Sequence, residues 1–395
     1  MKKIILATII ITVAALSYFA LKLKGTLPAI LPPASITPPE DTKGQTVNES
    51  NLNLPQGFSL RIFAKDLEGP RDLEVSPQGT ILASIPSQGK VVALPDINND
   101  HKADRQAIVI SGLSRPHGLA FYKDKLFIAE ETRVVRYNWN EESRRATLDK
   151  KLFDLPKGGR HFTRTIAFNE GGKMFVSIGS TCDVCLEDHP FLAAVIVSDT
   201  DGNNPRLFAK GLRNSVFITT NPLTGELWGT EMGRDFLGDD LPPDEINIIR
   251  DGRDYGWPLC YGNRIHDTDF DQKVYIQIIP QPPCGETEPP VYEIPAHSAP
   301  LGLSFITSDR FPKDWQGDLL VAYHGSWNRS APAGYKVVRV KIENGKVQTE
   351  EDFIAGFLQG NQATARPVDL VFDKSGSLYL SDDKAGFIFK ISYQN

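Results

Sequence analysis

Six times along this chain a short apolar run begins just after a Pro or Arg, crosses a turn bearing Gly or Lys, and returns as a second apolar run. The copies read PRDLEVSPQGTILAS from Pro70, PHGLAFYKDKLFIAE from Pro116, RTIAFNEGGKMFVSIG from Arg164 and RNSVFITTNPLTGELWGTE from Arg213. Two more, PLGLSFITSDRFPKDWQGDLLVAYHG from Pro300 and RPVDLVFDKSGSLYLSDD from Arg366, complete the set. The first four begin 46 to 49 residues apart, a period that fits one four-stranded blade per repeat, and the longer later intervals leave room for inserted loops. The predicted fold is all-β, a six-bladed β-propeller over residues 51–395.

Residues 1–24 follow a different pattern. Lys2 and Lys3 precede a charge-free, mostly apolar run from Ile4 to Leu21 that approaches the width of a bilayer. Ser17 and Ala20 stand beside Tyr18, Phe19 and Leu21, a poor cleavage site, so the expectation is an N-terminal hydrophobic helix serving as a signal peptide or uncleaved signal anchor. The chain would then be exported and tied to a membrane. Residues 25–50, rich in Pro, Thr and Ser, read as a solvated linker.

Composition agrees with a large turn-rich domain: 41% hydrophobic and 23% charged residues, with 32 Gly and 28 Pro. A net charge of −6 argues against a nucleic-acid partner. Of the four cysteines, Cys182 and Cys185 form one CxxC, and Cys260 and Cys284 bracket an insertion in the fourth repeat. Export favours two disulfides. A zinc site would need all four thiolates to converge, and no βαβ pattern makes the CxxC a thioredoxin-like motif.

Superposing the repeats gives a ring of equivalent positions around one mouth of the channel, because the start of each inner strand and the loop after the second strand share a face. The first position offers Arg71, Arg115 with His117, Arg164, Arg213 with Asn214, and Arg366. The second offers Glu130, Gly179 with Ser180, Glu231 followed by Gly233, His324, and Asp382 with Asp383. Several guanidiniums on one rim suit a ligand with several carboxylates, although any single Arg could instead pair with an Asp of the next blade, such as Asp72 or Asp369.

GGRHFTRTIAF from Gly158, GLRNSVF from Gly211, TEMG from Thr230 and DEINIIRDGRDYGWP from Asp244 to Pro258 resemble the glucose/sorbosone dehydrogenase family. The resemblance covers roughly residues 54–393. It implies a six-bladed propeller that uses pyrroloquinoline quinone (PQQ) and calcium, and PQQ is a planar tricarboxylate. By the same resemblance His161 is the catalytic base for the sugar hydroxyl, and Arg213 and Asn214 touch the quinone. Gly233 and Arg234 offer backbone carbonyls to calcium, a hard ion that takes such oxygens, and Arg366 binds a cofactor carboxylate.

The motif departs from the soluble glucose dehydrogenase pattern in ways that point to the sorbosone-like branch. Two residues rather than three separate His161 from Arg164, Arg160 stands where the family has an acid, and Val368 replaces a second cofactor arginine. Arg164 is still expected among the cofactor-binding residues, and His324 or Arg329 in YHGSWNR takes the place of the cofactor lysine. His117, His297 and His324 fit structural hydrogen bonds as well as contact with substrate, whereas His101, His189 and His266 stand in polar loop sequences and read as solvated.

A second metal site is conceivable in DINNDHKAD, where Asp96, Asn98, Asp100 and Asp104 occupy positions 1, 3, 5 and 9 of a calcium-loop pattern; a solvated hairpin fits equally. DTDGNN from Asp199 reads as a turn. These features together predict PQQ- and calcium-dependent oxidation of an aldose or sugar aldehyde, with electrons leaving to an external quinone or cytochrome because no CxxCH haem motif is present. The alternatives are a calcium-dependent lactonase, its metal held by Glu130, Glu231 and Asp382, and a non-enzymatic propeller binding a carbohydrate or protein.

Overall fold

The structure is a computed structural model that describes residues 49–270 and 284–394. The expectations for residues 1–24, hydrophobic helix and membrane anchor included, and for most of the 25–50 linker lie outside the described residues. Within them no helix is long and apolar enough to cross a membrane.

Six antiparallel blade sheets follow the repeats, five of four strands and one, blade 3, extended by a short fifth strand, Arg253–Asp254, that pairs in parallel with its outer edge. Blade 1 opens with Leu73–Val75, blade 2 with Leu119–Tyr122, blade 3 with Arg164–Phe168, blade 4 with Ile218–Thr220, blade 5 with Pro300–Phe305 and blade 6 with Pro367–Phe372. Each opening strand touches that of the next blade, and blade 6 touches blade 1, so the ring closes. The second strands, such as Ile81–Ile85, Met174–Ile178 and Leu319–Tyr323, are buried along their whole length because blades cover both faces. Outer strands such as Arg145–Asp154 face solvent instead.

The core is divided among the six gaps between blades. Leu82 and Leu126 belong to the core between blades 1 and 2, Phe127 and Val176 to that of the next gap, and Val197 and Leu227 to that of the third. Trp228 with Val321, Leu320 with Leu380, and Ile388 with Ile81 fill the other three. Each gap buries large side chains that are each worth about 1.5–3 kcal/mol on transfer from water.

Blade 6 is completed by a strand from the other end of the chain. Phe58–Ala64 pairs antiparallel with Phe387–Tyr393, from Phe58 opposite Tyr393 to Leu60 opposite Ile391. Phe58 then packs among Phe311, Trp315, Phe353 and Tyr393. Blade 4 takes its fourth strand, Tyr292–Ile294, from beyond the insertion bracketed by Cys260 and Cys284. Both cysteine pairs are disulfides, Cys182 with Cys185 and Cys260 with Cys284, as an exported chain permits.

Candidate active site

One cavity on the face where the inner strands begin has a volume of about 240 Å³ and draws on blades 3, 4 and 5. Arg160 and His161 reach it from the segment before blade 3, and Arg213 and Asn214 from that before blade 4. Met232, Gly233 and Asp235 follow the second strand of blade 4; Trp327 and Asn328 follow that of blade 5. Of the rim positions Arg213, Asn214 and Gly233 come together here, joined by His161 from the segment before blade 3.

Hydrogen bonds fix the His161 ring. Its Nδ1 lies 2.8 Å from Ser180 Oγ, and that hydroxyl donates to the Cys182 carbonyl at 2.6 Å. With its own proton spent on Cys182, Ser180 can only accept from His161, so Nδ1 carries the hydrogen and Nε2 keeps its lone pair. Burial, then the charges of Arg213 and Arg160, lower the imidazole to about 2, so it is neutral near pH 7.

Arg213 is buried and held by a loop. Its Nε donates to the Asp183 carbonyl at 2.8 Å, Nη2 to the Asp183 carboxylate at 2.7 Å, and Nη1 to the Met232 carbonyl at 3.2 Å. Asp235 Oδ2 lies 3.7 Å from Nη2 and pairs at 2.7 Å with Arg160, whose guanidinium stands over the Trp327 ring. Burial raises Asp235, and Arg213 pulls it back.

Asn214 is set by Glu231, which accepts its backbone N–H at 2.8 Å and the Ser215 hydroxyl at 2.6 Å. Its Oδ1 is buried without a partner, a cost that a bound donor would remove. Gly179 makes room, since a Cβ there would stand 2.9 Å from that oxygen and 2.6 Å from His161 Cβ. Gly233 is oriented by Asp244, which accepts its N–H at 2.9 Å and that of Ala299 at 2.9 Å. No group among the described residues donates to the Gly233 or Arg234 carbonyl.

Several expected residues lie elsewhere. Arg164 is fully buried and turns away from the cavity: its guanidinium donates to the carbonyls of His161, Thr163 and Pro156, tying down the segment that carries the histidine. The Arg234 side chain pairs with buried Asp267 at 2.6 Å. His324 bonds Asp383 at 2.8 Å, and Arg71 binds the same carboxylate. Arg366 donates to the Gly325 and Ser326 carbonyls, and Arg329 reaches the Asp239–Asp240 loop. Arg115 lies 3.5 Å from the Phe162 ring centroid. Thus every ring arginine has a protein partner. His117 is a buried structural residue against the Arg164 carbonyl and Thr165, and His297 bonds the Gly238 carbonyl.

The second-position carboxylates serve as caps. Glu130 accepts the Ser114 N–H at 2.6 Å, Glu231 that of Asn214, and Asp382 that of Arg366 at 2.8 Å. Each is committed to the start of its own blade, on blades 2, 4 and 6, which separates the acids that a lactonase metal would need together. In the 96–104 loop Asp96 accepts the N–H groups of Asp100 and His101, Asn98 that of Asp100, Asp100 that of Lys102, and Asp104 that of Ile97. The loop's oxygens are thus engaged with its own amides. Asp199 likewise accepts from Asp201 and Asn203, forming the predicted turn.

Asp183, Asp235, Trp327 and Asn328 were not singled out by the repeats. Trp327 and Asn328 follow the second strand of blade 5, a position the rim rule covers; Asp183 lies between the two cysteines of the CxxC, in the loop after the second strand of blade 3.

Residues 52–394 match the model of the TrAA12-like family. An uncharacterized protein of Borreliella burgdorferi is 32% identical over 87% of this chain and 92% of its own length. The aldose sugar dehydrogenase YliI of Escherichia coli is 28% identical over 60% of this chain and 61% of its own length. The holo form of the pyranose dehydrogenase PQQ domain from Coprinopsis cinerea superposes with a TM-score of 0.72 at 21% identity, covering 86% of this chain and 97% of that one.

Proposed function

The chain belongs to the TrAA12-like family, and we propose that it oxidises an aldose or related sugar in the cavity of blades 3 to 5, with PQQ and calcium as cofactors. The observation that carries this reading is the His161 ring, whose bare Nε2 shares a cavity with the buried guanidinium of Arg213. A neutral imidazole with one protonated nitrogen can take a proton from a sugar hydroxyl at the other. Arg213, fixed by Asp183, would stabilise negative charge developing beside it without having to reorganise.

The residues present fit the cofactor. Asn214 would place its amide against the quinone, and the carbonyls of Gly233 and Arg234 would hold calcium, with Gly179 leaving the floor open. When bound, PQQ supplies a two-electron acceptor for the hydride that leaves the sugar carbon. Electrons would then pass to an external quinone or cytochrome. The relatives named above, a sugar dehydrogenase and a PQQ-binding domain of the same fold, support the same chemistry.

The test is titration of the full chain with PQQ, in calcium and in chelator, followed by quinone absorbance and by dye reduction with a panel of aldoses. Calcium-dependent uptake with sugar-dependent dye reduction is expected. Absence of PQQ binding in calcium would overturn the proposal.

A further inference from the structure

The groups that orient His161 and Arg213 both belong to one short segment closed by a cross-link. Ser180 donates to the Cys182 carbonyl, and Asp183, between the two cysteines, binds Arg213 through both its carbonyl and its carboxylate. Trp257 Nε1 donates to that same carbonyl at 3.2 Å, and Asp183 also accepts the Asp235 N–H at 2.9 Å. Glu187 closes the far side by accepting the Thr181 amide and hydroxyl at 2.7 and 2.8 Å. The Cys182–Cys185 disulfide spans a separation of only three residues. Such a short link constrains the unfolded chain less than a long one does, and in the folded chain it acts on the loop that carries the Cys182 carbonyl and Asp183. Both sulfurs belong to half-buried residues at the surface, next to Leu186, which is 64% exposed.

We propose that Cys182–Cys185 is a redox-breakable latch on the site, a role that rests on the reading of His161 and Arg213 given above. Closed, it holds the Cys182 carbonyl and Asp183 where they fix the tautomer of His161 and the fork of Arg213. A dithiol opens it: one thiolate attacks a loop sulfur and breaks the S–S bond, and the second thiol then displaces the resulting mixed disulfide. The reductant leaves as its own disulfide, having lost two electrons, and two protons end on Cys182 and Cys185. Two thiols cannot remain at bonding distance, so the loop relaxes and both orienting groups shift.

The experiment uses the full chain loaded with PQQ and calcium and selectively ¹⁵N-labelled at histidine. Three states are compared: oxidised protein, protein reduced with dithiothreitol and freed of reductant under argon before loading, and the Cys182→Ser/Cys185→Ser variant. The readouts are the ring-nitrogen shifts of His161, quinone absorbance and sugar-dependent dye reduction. Oxidised protein should show Nδ1–H alone. The reduced and double-variant proteins should show mixed tautomers and a rate lower by tenfold to on the order of 10²-fold, with circular dichroism unchanged; reoxidation should restore the rate of the reduced protein and leave that of the double variant low. Cys260→Ser/Cys284→Ser should keep the full response. Unchanged tautomer and rate on opening would overturn the latch, and so would loss of rate with loss of fold. A His161→Ala protein that turned over normally would sink the base assignment instead, while the shift of tautomer on reduction would still report the latch.

Discussion

Gly179 and His161 abut so closely that a methyl group on the glycine would stand 2.6 Å from the histidine Cβ. Gly179 is not among the residues with positive φ, so alanine suits its backbone, and the conflict is with the side chain opposite. Gly179→Ala should therefore cost modest stability, about 1–3 kcal/mol for an overpacked contact, yet lower turnover on the order of 10²-fold by displacing the proposed base. Thermal unfolding and dye-linked kinetics on one preparation separate the two effects. A rate loss no larger than the stability loss predicts would show that His161 tolerates displacement.

The pH dependence should carry the signature of a histidine that stays neutral. With His161 lowered to about 2 by burial and by Arg213 and Arg160, the rate should show no acid limb between about pH 7.5 and 5.5, where a free imidazole titrates. The stability sign follows from the same shift. The folded value lies below the unfolded one of about 6.5, so the contribution is present above that pH. It is lost as pH falls below the unfolded value, because only the unfolded chain takes the proton. A rate profile with a limb near pH 6.5 would contradict the neutral assignment.

Much of this was legible because a propeller converts sequence period into spatial equivalence. Arg213 and Asn214, which open the fourth repeat, and Gly179, Ser180 and Gly233, which follow the second strands of blades 3 and 4, do meet around one mouth. Other features turn on information no repeat carries. Position in a repeat says that Arg164 stands at a strand start, but not that its guanidinium folds back onto the carbonyls of residues 156–163. FSLRIFA from Phe58 precedes the first repeat, and nothing local in it names Phe387–Tyr393 as its partner. Asp183 and Asp235 act across loops, through contacts to Arg213 and Arg160 that depend on the ring having closed.

Trp327 should matter for sugar affinity more than for chemistry. It lines the cavity, is 37% exposed, and meets Phe236, itself 38% exposed, edge to face at 6.3 Å. Its neighbour Asn328 is bonded to Asp235, which also holds Arg160, so the platform is presented by anchored residues. A pyranose ring can lay its C–H face on such a surface. Trp327→Ala should raise KM for sugar roughly three- to tenfold, the scale of about 1 kcal/mol for an aromatic contact, with kcat and PQQ uptake little changed. A fall in kcat at constant KM would move Trp327 from substrate binding to chemistry.

Glu231 gives the opposite pH trend from His161. Burial raises it to about 8, against the hydrogen bonds from Ser215 and Asn214, whereas an unfolded glutamate titrates near 4.3. A folded value above the unfolded one means stability that is complete below the unfolded value and lost as pH rises through about 8. Thermal midpoints should fall from about pH 6 to about pH 9, and Glu231→Gln, which keeps an acceptor for Asn214, should flatten part of that slope. An unaltered slope would mean that Glu231 is already ionised in the fold.

The two disulfides should separate stability from activity. In the chain-entropy account, the constraint on the unfolded state grows with the logarithm of the loop closed. Cys260–Cys284 spans a separation of 24 residues and Cys182–Cys185 one of 3, which corresponds to about 3.5 and about 1.9 kcal/mol at 25 °C. Cys260 and Cys284 are also buried beside Gly256 and Leu259, whereas Cys182 binds the hydroxyl that sets the His161 ring. Replacing both members of the longer link with serine should therefore lower the calorimetric midpoint more, and replacing the shorter pair should lower turnover more. The crossed ranking is the informative result. If one pair dominated both measurements, loop size would not set the stability order, or the hydrogen bonds from Cys182 and Asp183 would not set the site.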